Sequence, residues 1–496
     1  MMHVFIALVA IIIGFVLYLV KYQQSYWERR GVPHTEPNFP WGDMKEWRTT
    51  KSLCHVLQPI YDKFKGTGPF CGIYFMMTPA AFVTDLGLVK KILIKDFQYF
   101  QDRGEFHNPE DDPLTGNIFQ TDGPKWVYLR KKFSPTFTSG KMKYMFPTIV
   151  KVAHELMDVM EEQYTATDNI VHITNIIGRY TSDVIGSCAF GIECNSLRSP
   201  DAEFVVMGRK SFELRRHNYM IDSLMEAYPK LARKLHLRGL PDELHNFYMG
   251  IVHKAIEYRQ KINIKRNDFM NLLLEMKRKD GSDVGLTDND IAAQAFLFFL
   301  AGFETSSSAV SYALFEMAKN QEIQNKAREE VKIVIKEYNN EFTYEAIQKM
   351  KYMDRVFSET LRKYPILTTL KRFSKAAYDT GDPRYLIEKD MHITIPVHAI
   401  HHDPEYYPDP EKFDPERFTE EEIKKRPACS YLPFGDGPRN CIGARFGKLQ
   451  SYTALAMLLN KYKFSFAPQT PENLTFAVHT LTLTAMGGVH LKIEKV

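Results

Sequence analysis

The sequence predicts a mainly α protein: one large helical domain with small β-sheets, preceded by an N-terminal transmembrane helix. Three observations carry this. Apolar residues recur at helical spacing through residues 120–360, short strand-like runs flank that region, and an uncharged apolar stretch opens the chain. With 496 residues and 44% hydrophobic content, the chain has enough apolar surface for a large core.

The opening stretch, Val4 to Val20, is 17 residues long. As a helix it spans about 25 Å, a little under the roughly 30 Å hydrocarbon core of a bilayer. Tyr18, Tyr22, Tyr26 and Trp27 suit a membrane interface, and Lys21 can snorkel. The first residues lack Lys and Arg, and no small-x-small cleavage site follows. A retained anchor is therefore expected rather than a cleaved signal. Lys21, Arg29 and Arg30 come after it, which places the body on the cytosolic side. The glycosylation acceptor Asn473-Leu474-Thr475 is then expected to stay bare. Gly31, Pro33, Pro37, Pro40 and Gly42 mark a short stiff linker. No later linker, repeat or low-complexity tract is visible. The expected division is an anchor over 1–21, a linker over 22–42 and one domain over 43–496.

Strand-like segments fall at Gly72 to Met77, His392 to Ile395 and His490 to Ile493. A helix starts near Asp288, where Thr287 and Asp290 form a capping box with Asp in place of the usual Glu. Ile291 to Phe303 is apolar on nearly every face except Gln294, so this helix should cross the interior. The apolar run is too short for a second membrane span. Another helix runs from about Tyr352 and stops at Pro365, with Met353, Val356, Phe357 and Leu361 at helical spacing.

Composition removes some functions. The net charge of +4 is too mild to argue for nucleic acid. The six cysteines form no regular framework, which fits a reducing compartment. Cys441 is the one in a distinctive setting, within Pro433-Phe434-Gly435-Asp436-Gly437-Pro438-Arg439-Asn440-Cys441-Ile442-Gly443. Gly437 and Gly443 allow tight turns and close backbone approach, and Phe434 can shield a sulfur. Arg439 can pair with an acidic cofactor edge. A helix is expected from Ile442, and its N-terminal dipole favours a thiolate. Zinc is disfavoured, because the nearest other cysteine, Cys429, lies twelve residues back. A lone cysteine is otherwise more often a buried structural thiol.

Ala301-Gly302-Phe303-Glu304-Thr305 ends the apolar run. Gly302 lets a flat ligand approach the backbone. The Thr305 hydroxyl can compete for a backbone carbonyl, and it could then hold dioxygen and pass protons, with Glu304 linking to solvent. Taken alone, the segment also reads as a helix kink. Glu359 and Arg362 share a helix face at i, i+3. Trp126 and Arg130 pair an indole N–H with a guanidinium, both suited to a carboxylate.

Together these motifs resemble the cytochrome P450 superfamily. The loop matches its haem-binding segment at Phe434, Gly437, Arg439, Cys441 and Gly443. Glu304–Thr305 is similar to its oxygen-activating acid–threonine pair, Glu359-x-x-Arg362 to its Glu-x-x-Arg motif, and Phe413 to Phe418 to the segment that supplies a third member, Arg417. Trp126 and Arg130 resemble a pair that contacts a haem propionate, and Arg103, Arg372 and Arg439 are implied as further propionate contacts. Within the superfamily the chain resembles the insect microsomal detoxifying group, family six, on Phe133 to Lys141, Arg266 to Met270 and Ala399 to Pro404. It departs in a less proline-rich linker, in Glu388-Lys389-Asp390 where a turn glycine is common, and in Gly487 to His490.

The resemblance implies haem b, an iron protoporphyrin with Cys441 as axial thiolate. It implies a monooxygenase that inserts one oxygen atom from dioxygen into lipophilic substrates, which are xenobiotics such as plant toxins or insecticides, or endogenous lipids and hormones. Electrons would come from NADPH through NADPH-cytochrome P450 reductase, with cytochrome b5 as a helper, at the cytosolic face of the endoplasmic reticulum membrane. Glu304 and Thr305 would be catalytic. Arg130, Lys131, Lys132, Lys424, Lys425 and Arg426 could form a basic face that steers an acidic donor, or an ordinary solvated surface. Phe119, Phe298, Phe299, Ala301, Thr368, Thr369 and Leu481 are expected pocket walls. Two alternatives stand beside this: a haem-thiolate isomerase or dehydratase, and a non-enzymatic membrane haem protein.

Overall fold

The computed structural model describes residues 2–166, 168–262, 268–277 and 285–496. Arg266 and Asn267 lie outside the described residues. The helices that bear on the site are α1 (Met2–Gln24), α2 (Gly123–Phe133), α3 (Ser139–Ala166), α4 (Ile173–Ile185), α5 (Glu203–Glu213), α6 (Asp288–Lys319), α7 (Lys351–Lys363), α8 (Val397–His401) and α9 (Ala444–Lys461). The strands are β1 (Phe70–Phe75), β2 (Thr78–Val83), β3 (Ile170–His172), β4 (Leu370–Phe373), β5 (His392–Ile395), β6 (Tyr462–Phe466) and β7 (His490–Lys495). The mainly helical expectation holds.

The stretch expected to cross a membrane folds as α1. However, no helix among the described residues is long and apolar enough to cross a membrane. The residues expected to form a linker do not hang free. Trp27 is fully buried; its indole N–H donates to Ile73 O at 3.2 Å and its ring meets Phe70 edge-on. Gly72 sits beneath that indole, where a Cβ would collide with the ring. Tyr26 adds a hydrogen bond to Glu388 at 2.8 Å.

Two small sheets form. One has the order β1-β2-β5-β4, antiparallel except for the parallel β2–β5 pair, with Ile73 opposite Ala80 and Arg372 opposite Ile393. The other runs β3-β7-β6, all antiparallel, with Val171 opposite Leu491 and Phe464 opposite Ile493. Asp390 precedes β5 with φ +63°, so an aspartate holds the left-handed turn position where glycine is the easier choice.

The central element is α6. Its expected capping box is present, with Thr287 and Asp290 bonding each other's backbone N–H. The helix does not stop at the Gly302–Thr305 segment but continues to Lys319. Gln294, the polar exception in the apolar run, is fully buried and used twice: its Oε1 accepts from Ile118 N–H at 2.9 Å and its Nε2 donates to Gly116 O at 3.2 Å. It thus ties the 116–118 segment to the helix. On α6's other sides, Thr181 of α4 donates to Phe303 O at 3.0 Å, and Gln450 of α9 donates to Gly302 O at 3.2 Å and Ser306 Oγ at 2.6 Å.

α7 carries the buried ion set. Arg362 grips Glu359 with two bonds, at 2.7 and 2.9 Å, and Arg417 approaches the same carboxylate at 3.5 Å. Glu359 also accepts from Asp414 N–H at 2.9 Å. Arg362 donates to His401 O at 3.1 Å. The His401 ring then accepts from Leu432 N–H through Nε2 at 2.8 Å, which assigns its proton to Nδ1, facing Arg362 O at 3.2 Å. One chain of bonds therefore runs from α7 through α8 to the segment that leads into the Cys441 loop.

This chain of bonds can be tested in two ways. Glu359→Ala strands two guanidiniums in the interior and should lower stability by about 3–5 kcal/mol in chemical denaturation. Burial and Arg362 push His401 down to about 3, and burial pushes His402 to about 3 as well. The unfolded chain then takes up these protons first, below its ordinary value of about 6.5. The melting temperature should be flat above that pH and fall progressively as the pH drops from about 6.5 toward 3.

Candidate functional site

Cys441 opens onto an interior cavity between α6 and the 433–443 loop. The loop is turned by its own backbone: Cys441 N–H donates to Phe434 O at 2.8 Å and Asn440 N–H to Gly437 O at 3.1 Å. Gly437 has φ +71°, and Leu93 O occupies the place where its Cβ would stand, so glycine is required there. Gly443 does not have this role. It is the N-cap of α9 with φ −88°, and its imagined Cβ meets only Phe137, at 3.8 Å. α9 starts at Ala444 rather than at Ile442, two residues later than expected.

Opposing effects set the thiol's electrostatics. Burial pushes the Cys441 thiol up, while the Gly443 N–H, Arg103 and Arg130 pull it down. The helix terminus alone does not make a thiolate; a bound cation would. Cys188 also lines the cavity, but burial holds it up at about 12 and Asp268 adds to that rise.

Beside the sulfur the cavity has a basic edge. Arg103, Arg130, Arg439 and Trp126 line it. Arg439 is buried, donates to Gln101 O and Thr121 O, both at 2.6 Å, and meets Asp122 at 3.1 Å, while its Nε has no partner. Its guanidinium lies 4.8 Å from the Trp126 ring. Arg103 donates to Phe119 O at 2.9 Å. Arg130 holds Asn440, the residue before the cysteine, through its carbonyl at 2.8 Å and its side chain at 2.6 Å. Arg372 is not on the wall. It is buried with its Nε unpartnered, and burial and Arg439 push it down to about 9. Burial, Arg439 and Arg372 push Arg103 down in the same way. Guanidiniums that repel one another, with spare N–H groups, fit a ligand edge that carries carboxylates.

Across the cavity stand Ala301, Gly302 and Thr305. The Thr305 hydroxyl donates to Ala301 O, the carbonyl competition expected of a threonine inside a helix. Gly302 lines the cavity and is also needed for packing: a Cβ there would run into Ile185 of α4. Glu304 is not on the wall. It turns to the other side of α6, where Thr484 donates to its Oε1 at 3.0 Å, and burial pushes its carboxyl up.

Of the expected walls, Phe119, Phe298 and Ala301 line the cavity. Phe299 faces the opposite way, into a cluster with Phe204 at 5.4 Å and Phe303 at 5.6 Å. Thr368, Thr369 and Leu481 are not on the wall; Thr368 is buried and Leu481 is exposed. The walls that were not anticipated include Ile366, Leu367 and Leu370. Their signal is the apolar run directly after the helix-stopping Pro365. Of the six basic-face residues, Lys425 is tied to Glu421 and Glu422, and Arg426 stacks over Tyr407 and Phe418. Lys131, Lys132 and Lys424 remain exposed.

The sequence model of the family described as cytochrome P450 matches residues 33–489. The chain belongs to the cytochrome P450 family. It is 46% identical to probable cytochrome P450 6a23 of Drosophila melanogaster, over all of this chain and 99% of that one. It is also 46% identical to probable cytochrome P450 6a20 and 44% identical to cytochrome P450 6a2 of the same organism, over the full length of both partners. As a cytochrome P450 it is an oxidoreductase, a monooxygenase that binds haem through a cysteine thiolate axial ligand. The donor set fits that group: a cavity-facing sulfur, an arginine-rich edge and a largely apolar remainder.

The Gly302–Ile185 contact is testable. Helix propensity favours Gly302→Ala by about 1 kcal/mol, whereas overpacking costs about 1–3 kcal/mol. The variant should melt below wild type, and adding Ile185→Val should recover part of the loss.

Proposed function

We propose that Cys441 is the axial thiolate of haem b in a microsomal monooxygenase acting on lipophilic molecules. The observation that carries this is one cavity bringing together Cys441, the basic edge of Arg103, Arg130 and Arg439, and Thr305. Haem, when bound, supplies the activation of dioxygen. The chain's residues do the rest. Arg103, Arg130 and Arg439, with Trp126, would hold the propionates, and Arg372 would add its charge from the second row. Phe434, whose carbonyl accepts the Cys441 N–H, keeps water from the sulfur. Thr305 offers a hydroxyl at the cavity face of α6, and Glu304, the residue before it, is the acid that feeds it protons. Phe119, Phe298, Ile366 and Leu370 give an apolar surface suited to lipophilic substrates. These are xenobiotics such as plant toxins or insecticides, or endogenous lipids and hormones.

The reading extends to the setting. Residues 1–21 act as the anchor in the endoplasmic reticulum membrane and 22–42 as the connection to the 43–496 body on the cytosolic face. Snorkelling of Lys21 and interfacial Tyr18 and Tyr22 make up for the short apolar run. NADPH-cytochrome P450 reductase delivers electrons, helped by cytochrome b5, with Lys131, Lys132 and Lys424 as exposed positive charges for an acidic partner.

The deciding experiment is the carbon monoxide spectrum of the reduced protein. Wild type should show the red-shifted Soret band of thiolate ligation, and Cys441→His should shift it to shorter wavelength. A wild-type band typical of histidine or neutral thiol ligation overturns the assignment.

A further inference from the structure

We propose that Thr484 is a positioning residue for Glu304, holding its carboxyl group turned from the Cys441 cavity toward α5. The proposal rests on the reading that Glu304 feeds protons to Thr305. Thr484 lies on the C-terminal segment, far in sequence from α6, yet it is placed on that helix by a clamp. The Tyr312 hydroxyl of α6 donates to Leu483 O and accepts from Ala485 N–H at 2.9 Å, so one phenol brackets Thr484 on both sides. Leu483 N–H is also held by Ile366 O at 2.8 Å. With its backbone fixed this way, Thr484 Oγ1 donates to Glu304 Oε1 at 3.0 Å.

A second hydroxyl stands behind the first. Thr482 Oγ1 lies 3.1 Å from Thr484 Oγ1. A threonine has one proton to donate, and while Glu304 is ionised that of Thr484 goes to it, so Thr482 is then the donor of this second bond. Two hydroxyl dipoles thus point in series at one carboxyl group. The other groups facing Glu304 are Ser308 on α6, whose hydroxyl also pulls its carboxyl down, Tyr312, and Arg209 and Glu213 of α5. Arg209 and Glu213 oppose each other in charge, which leaves the hydroxyls to decide the orientation of the carboxyl. In this orientation Glu304 stands off the cavity wall while its neighbour Thr305 stands on it.

The test uses the ferric holoenzyme. Infrared difference spectra against Glu304→Gln identify the Glu304 carboxyl band, and its pH titration gives a midpoint. Losing one donor to a carboxylate should raise that midpoint by about one pH unit in Thr484→Val, and Thr484→Ser should restore it. Product formed per NADPH, with an alkoxycoumarin as lipophilic probe, should change severalfold in Thr484→Val, as the carboxyl leaves the position from which it supplies Thr305, and return to the wild-type value in Thr484→Ser. An unmoved midpoint in a folded Thr484→Val overturns the proposal. If that variant does not fold, Thr482→Val should move the midpoint the same way by less, and no movement there overturns it too. A moved and rescued midpoint with unchanged coupling in Glu304→Gln leaves the positioning intact and sinks the proton-supply reading instead.

Discussion

One buried carboxylate organises the region around the sulfur. Glu359 neutralises Arg362 and Arg417 and also takes a backbone N–H from Asp414. Neither guanidinium could stay inside without it, because an unpaired buried charge is far more costly than a paired one. Arg362 in turn holds α8 by the His401 carbonyl, and the His401 ring holds Leu432. The position of the Cys441 loop is therefore inherited from an ion set that never touches the cavity. Such a set gives little net stability over an apolar core, but it fixes one arrangement of α7, α8 and the loop.

The cavity's basic edge shows the opposite balance. Burial depresses the proton affinity of Arg103, Arg372 and Arg439, and the charge of Arg439 adds to it at the other two, with Asp122 as the carboxylate in direct contact. Alone, this cluster is a strain on the fold; facing a dianionic edge, it becomes a reason to bind. Binding and stability are thus coupled through the same side chains. Trp126 serves both sides, since its ring lies against the Arg439 guanidinium and also bounds the cavity.

Local features were legible in the sequence and tertiary ones were not. The capping box at Thr287, the end of α7 before Pro365, strand β5 and the Glu359–Arg362 pair all depend on neighbours a few residues away, so spacing suffices to place them. Phe299 and Phe298 show the limit: adjacent on an all-apolar helix, they face opposite sides, and periodicity has no polar face by which to tell them apart. Gly302 has the same problem, because its packing partner, Ile185, is on another helix. Glu304 could not be oriented from sequence because its partner Thr484 lies near the other end of the chain. The Cys441 thiol has the helix-end N–H of Gly443 beside it, as its place in the sequence implies, but the burial that raises it comes from residues distant in the chain.

Trp27 has a mechanical consequence. Its ring is sealed against β1 and its N–H is bonded to that strand, only three residues after α1 ends. The junction therefore behaves as a bolted joint rather than a hinge. A force or torque applied to α1 would pass directly into β1 and the sheet edge, and the body could not swivel about α1 without first extracting a whole indole from the core.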